Sequence, residues 1–165
     1  MTKNKKFQLV ENYIIEHQNA HYRLAFSYVK NKEAALDIIQ ESIMKALRSI
    51  DSLEHIQYLK TWFYRILINT SIDYIHKNKR MVAVEDEVLD YHLPVNELNA
   101  PDIDLYEAID LLQPMYKTII ILRFFEDMKI EDIATALEEN PNTIKTRLYA
   151  ALRKLRSNME EKVEE

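Results

Sequence analysis

The 165 residues include no glycine and no cysteine. Phosphate-cradling loops, dinucleotide-binding turns and nucleophile elbows need backbone conformations that glycine adopts at little cost, so those enzyme scaffolds are excluded. Without cysteine there are neither disulfides nor thiolate metal sites, which fits a reducing interior. No apolar run approaches the roughly 18 residues that a membrane span needs, and the opening MTKNKKFQLVENY lacks the apolar stretch of a signal peptide. A cytoplasmic protein is expected. The five histidines, His17, His21, His55, His76 and His92, show no metal-binding spacing. His17 and His21 are four apart on one helix face, but no local carboxylate completes a site. They read as surface or interhelical side chains, and no metal or other cofactor is expected.

Apolar residues make up 47% of the chain, enough for one ordinary core or two small ones. They recur at helical spacing nearly throughout, with no strand pattern, so an all-α fold is expected. Residues 7–30 suggest one or two helices, and residues 33–50 another, with Leu36, Ile39, Ile43 and Leu47 three or four apart. A helix over 59–79 packs Leu59, Trp62, Phe63, Ile66, Leu67 and Ile75 on one side, placing Trp62 in the core. It ends in a basic run, His76, Lys77, Asn78, Lys79 and Arg80.

Residues 81–104 break the pattern with seven acidic side chains, no basic one, and both Pro94 and Pro101. They read as a linker between a domain over 1–80 and a second over 105–165. The formal net charge is −5, yet outside the linker 22 basic residues face 20 acidic ones. The overall acidity therefore does not argue against nucleic acid, because local clusters of Lys and Arg are what neutralise phosphate.

Residues 105–125 resume a helical pattern and lead into MKIEDIATALEENPNTIKTRLYAALRKLR, two short amphipathic helices around a Pro/Asn turn. Ile130, Ile133, Ala134 and Leu137 form the apolar stripe of the first, and Ile144, Leu148, Leu152 and Leu155 that of the second. Asn140 and Pro141 suit an N-cap and first helical residue. Glu138 and Asn142 stand where such turns commonly place glycine, and asparagine is the non-glycine residue best suited to a left-handed backbone. The second helix has five basic residues and no acidic one through Arg156. This is the pattern of a helix-turn-helix whose second helix enters the major groove. Asn142, Thr143, Lys145, Thr146, Arg147, Tyr149, Arg153 and Lys154 are its candidate DNA contacts. On these residues alone, two other readings stay open. One is a stand-alone helix-turn-helix regulator with an N-terminal dimerisation or sensing bundle; the other is a helical adaptor whose basic faces only keep it soluble.

Three blocks, in order, resemble the extracytoplasmic-function (group 4) sigma factors of the sigma-70 family. They are Asp37-Ile38-Ile39-Gln40-Glu41-Ser42, then Thr61-Trp62-Phe63-Tyr64-Arg65-Ile66-Leu67-Ile68-Asn69-Thr70 with Asp73-Tyr74, and the helix-turn-helix. Residues 103–108 and 122–127 look most like the Bacillus sigma-V subgroup. The resemblance implies a promoter-specific initiation factor without catalysis or a small-molecule substrate. Its domains would be sigma region 2 and sigma region 4. Asp37, Gln40 and Glu41 would bind the β′ clamp helices of bacterial core RNA polymerase, and the second domain would meet the β flap. Asn69, Asp73, His76, Lys77, Lys79 and Arg80 would face the minus-ten DNA, with Asn69 beside a flipped base. The helix-turn-helix would read the minus-thirty-five duplex. A membrane-anchored anti-sigma factor that holds the protein at the inner face of the membrane until an envelope signal arrives is a further implication. Read without the family, the Asp37 face is a solvated helix face and Asn69 a cap or bend.

Overall fold

The computed structural model describes residues 1–78 and 100–163, and its regular elements are all helical. The chain divides into two compact units, 1–90 and 91–165. The first contains α1 (Lys3–Glu16), α2 (Gln18–Val29), α3 (Lys32–Arg48) and α4 (Leu59–Asn78), with 3-10 turns at Ile50–Ser52 and Ile56–Tyr58. The second contains α5 (Ala100–Asp110), α6 (Pro114–Ile120) continuing into a π-helical turn at Ile121–Phe125, α7 (Ile130–Leu137) and α8 (Pro141–Val163).

Helix boundaries follow local chemistry. Thr2 Oγ1 accepts from the Lys5 amide at 3.3 Å and Asn31 Oδ1 from the Ala34 amide at 2.9 Å, capping α1 and α3. The expected linker over 81–104 falls largely outside the described residues, but its end moves: residues 100–104 are helical. Pro101 sits in the first turn of α5, where a missing amide costs nothing. The pattern over 105–125 also divides. Gln113 (φ −62, ψ 149) leaves the helix and Pro114 starts the next.

With no glycine available, other residues take left-handed backbone; among the described residues these are Lys30 (φ 54), Asp127 (φ 53) and Glu138 (φ 57). Glu138 ends α7, and the Glu139 amide reaches back to the Ala134 carbonyl at 2.9 Å. Each such residue costs about 1 kcal/mol relative to glycine. Asn142, the better-suited type, instead lies in the first turn of α8, its amide held by Asn140 Oδ1 at 2.8 Å.

In the first unit α2, α3 and α4 pack together around Leu24, Phe26, Ile38, Phe63, Tyr64, Leu67 and Ile68. The buried stripe of α3 is Ala35, Ile38, Ser42 and Ala46, and α4 buries Thr70 and Ser71. Small side chains let the helices approach closely, and the buried hydroxyls return hydrogen bonds to their own helices: Ser42 Oγ to the Ile38 carbonyl (2.7 Å) and Ser71 Oγ to that of Leu67 (2.8 Å). In the second unit α5, α6 and α7 pack on α8 around Ile119, Leu122, Ile133, Ile144 and Ala151. Asn158 Nδ2 donates to the Ala108 carbonyl at 3.1 Å, tying the extension of α8 to α5.

Candidate polymerase and nucleic-acid interfaces

The α7–turn–α8 segment turns its apolar stripe inward, burying Ile133, Ala134 and Ala136 against Ile144, Leu148 and Ala151. Leu152 and Leu155 are half-buried. That phase leaves Asn142, Lys145, Thr146, Tyr149, Arg153 and Arg156 exposed along one stripe of α8. Tyr149 is 60% exposed, an aromatic ring among cations. The expected contact set therefore splits. Thr143 and Arg147 are half-buried on the flank, and Lys154 is exposed there. Arg147 Nη1 lies 3.4 Å from Glu139 Oε1, so the turn supplies it with a carboxylate.

On α4 the exposed stripe is Arg65, Asn69, Asp73 and His76, with Lys77 adjoining. Lys79 and Arg80 lie outside the described residues. Asp73 Oδ2 is 3.9 Å from Lys45 Nζ of α3. Trp62 stands at the start of this stripe rather than in the core: it is half-buried, and its Nε1 donates to Ser52 Oγ at 2.9 Å. Phe63 and Tyr64, the next two residues, are the buried aromatics. Because α4 is apolar around most of its circumference, spacing alone left its rotation undetermined.

Asp37, Gln40 and Glu41 are all exposed and share a face of α3. Beside them stand Leu36 (44% exposed), Met44 (50%) and Leu47 (37%). Spacing placed Leu36 and Leu47 in a core stripe; the small-residue stripe of Ala35, Ser42 and Ala46 takes that position and turns the larger side chains outward. The face is acidic and apolar together, with three large apolar side chains standing in solvent beside two carboxylates. Two apolar stripes competing on one helix are the sequence signal that identifies it.

His21 is 1% exposed, enclosed by Tyr13, Phe63 and Tyr64, and shares a 3.2 Å hydrogen bond with the Tyr13 hydroxyl. Burial, together with the charges of His17 and Lys60, pushes its pKa from 6.5 down to about 3. It is a neutral core histidine. His17 lies at the junction of α1 and α2 rather than within one helix with His21. Among the described residues no three His, Cys, Asp or Glu side chains cluster as metal ligands.

These two units match two family models in turn: Sigma-70 region 2 over residues 14–81 and Sigma-70, region 4 over residues 102–155. The RNA polymerase sigma factor SigV of Bacillus subtilis is 51% identical over 143 residues, 87% of this chain and 86% of that protein. The chain belongs to the extracytoplasmic-function group of sigma-70 factors. The ECF sigma factor SigX of Bacillus subtilis is 31% identical over 165 residues, 93% of this chain and 84% of that protein. A solved structure of the sigma factor RpoE from Bartonella quintana, in complex with the anti-sigma factor NepR, matches with a TM-score of 0.78 at 25% identity. It covers 91% of this chain and 96% of that one. The resemblance to the sigma-V subgroup agrees with the 51% identity. The protein is thus a sigma factor rather than a stand-alone regulator, and this family is not an enzyme class. Among the described residues, no helix of this sigma factor is long and apolar enough to cross a membrane.

Proposed function

We propose that this sigma factor divides promoter recognition between two exposed helix stripes while a third face docks it on core RNA polymerase. The functional division is residues 1–80 as region 2, 81–104 as linker and 105–165 as region 4, with α5 extending region 4 back to Ala100. Asp37, Gln40 and Glu41, with Leu36, Met44 and Leu47 beside them, meet the clamp helices of the β′ subunit. Carboxylates suit an Arg-rich partner, and the apolar side chains supply desolvated contact area. The second unit meets the β flap and reads the minus-thirty-five duplex through Asn142, Lys145, Thr146, Tyr149 and Arg153, with Thr143, Arg147 and Lys154 at the margin.

The observation that carries this reading is the α8 stripe: Lys145, Arg153 and Arg156 stand exposed on a helix with no carboxylate between Pro141 and Arg156. On α4, the Asn69 amide offers a donor and an acceptor to the edge of an unstacked minus-ten base. His76, Lys77, Lys79 and Arg80 hold phosphate whatever the sequence. Opening draws its energy from tighter binding of the unstacked strand than of the duplex. The protein acts in the cytoplasm and needs no cofactor. An anti-sigma factor covers its polymerase-binding surfaces until an envelope signal releases it; the RpoE–NepR complex supports such a partner.

Transcription from purified components tests the reading. With bacterial core polymerase and a promoter mapped by overproducing the protein, RNA starts at a defined site only when both proteins are present. Glu41→Lys together with Met44→Glu abolishes association with the polymerase and leaves helix content unchanged. Association that survives both substitutions removes α3 from the docking surface.

A further inference from the structure

Lys45 points from α3 toward the promoter-facing side of α4. Its Nζ donates to Thr70 Oγ1 at 3.3 Å and stands 3.9 Å from Asp73 Oδ2. Thr70 is buried, and its own hydroxyl donates to the Ile66 carbonyl at 2.7 Å, so the acceptor that receives Lys45 is fixed in place. Asp73 is exposed and lies one turn beyond Asn69 on the same stripe. A carboxylate there faces the path assigned above to a phosphate backbone, where its charge is repulsive.

We propose that Lys45 is a positioning residue for promoter melting: it neutralises Asp73 from the neighbouring helix, so that the α4 stripe meets the displaced strand without a net negative charge at its centre. Lys77, four residues past Asp73, is the alternative partner on α4 itself. With Asp73 held by Lys45, the charge of Lys77 is left for phosphate. Asp73 on this view is a neutralised neighbour of the DNA rather than a contact. Since Lys45 arises one turn after Glu41, the same helix that docks on polymerase also conditions the DNA stripe. The inference rests on the assignment of α4 to minus-ten DNA.

A charge cycle tests it. Holoenzyme assembled from the full chain and core polymerase is titrated with a fluorescent single-stranded oligonucleotide carrying the non-template minus-ten segment of a mapped promoter, at two salt concentrations. Lys45→Met weakens binding roughly three- to tenfold. Asp73→Asn tightens it roughly two- to fivefold, and the double variant returns to within about twofold of the parent. All differences shrink at high salt, and Lys45→Arg behaves as the parent. A purely structural pair gives the opposite pattern, with both single variants weakened, both insensitive to salt, and no mutual repair. Weaker binding by Asp73→Asn overturns the inference, and does so even where Lys45→Met is poorly folded. If the parent holoenzyme does not bind the oligonucleotide, the assignment of α4 itself falls and takes the inference with it. Parent binding without repair in the double variant removes only the role of Lys45.

Discussion

The two exposed stripes that the proposed function assigns to DNA carry different equipment. On α8, Lys145, Arg153 and Arg156 accompany Asn142, Thr146 and Tyr149, and no carboxylate interrupts them. On α4, Arg65, Asn69 and His76 share the stripe with Asp73, whose charge Lys45 meets. The first arrangement suits duplex DNA, where binding grows with each counterion released. The second suits unpaired bases, where amide and aromatic groups do the reading and excess positive charge favours any strand equally. A separation of duty between the units therefore needs the centre of the α4 stripe, around Asn69 and Asp73, to be charge-balanced and α8 not to be.

The largest predicted contrast between the units is their response to acid. His21 is neutral in the fold with a pKa of about 3, against 6.5 in the unfolded chain. Between those values the unfolded chain binds the additional proton. The stabilisation is therefore complete above pH 6.5 and is lost as the pH falls toward 3, at about 1.4 kcal/mol per unit. From pH 6.5 to 4.5 the first unit loses about 2 kcal/mol through this residue. Helices α5 to α8 contain no histidine, and the single tryptophan, Trp62, reports on the first unit. Melting followed by Trp62 fluorescence moves down with acid, and His21→Phe flattens the dependence; a midpoint independent of pH in the parent contradicts the burial of a neutral ring.

Next in size is duplex binding. Lys145→Ala with Arg153→Ala reduces affinity for promoter duplex roughly ten- to hundredfold and lowers the salt slope by about 1.8, two phosphates' worth. Arg147→Ala, already paired with Glu139, has a smaller effect than either. An unchanged slope in the double variant assigns the α8 cations to solubility alone. Smaller still, Asn69→Ala slows promoter opening roughly tenfold while polymerase binding is normal. Normal opening removes its role. The mildest change tests the turn between α7 and α8: Glu138→Gly relieves the left-handed strain and stabilises the second unit by about 0.5–1 kcal/mol, read by chemical denaturation.

Periodicity carried the all-α class, the helix-turn-helix and most helix positions, because amphipathic spacing reports burial directly. It failed where two patterns share one helix. In α3 the large residues Leu36 and Leu47 outweigh Ala35, Ser42 and Ala46 on any hydrophobic scale, yet close packing without glycine favours the small ones inside. In α4 the near-continuous apolar circumference concealed that Trp62 belongs with Asn69 and Tyr64 with the core. The ion pairs of Lys45 and Arg147 cross 28 and 8 residues of sequence, and only the fold brings their partners together. Pro101 reads in the sequence as a linker break, whereas it and Pro114 both lie at helix starts.

Division of labour between α4 and α8 is tested most directly by a template whose minus-ten segment is already unpaired. Productive complex formation is followed by abortive RNA synthesis from the mapped start site, for the parent, Asn69→Ala, and Lys145→Ala with Arg153→Ala, each as holoenzyme on duplex and pre-melted promoter. Pre-melting is predicted to restore most of the loss caused by Asn69→Ala and little of that caused by the α8 variant. Equal restoration of both, or of neither, contradicts the account.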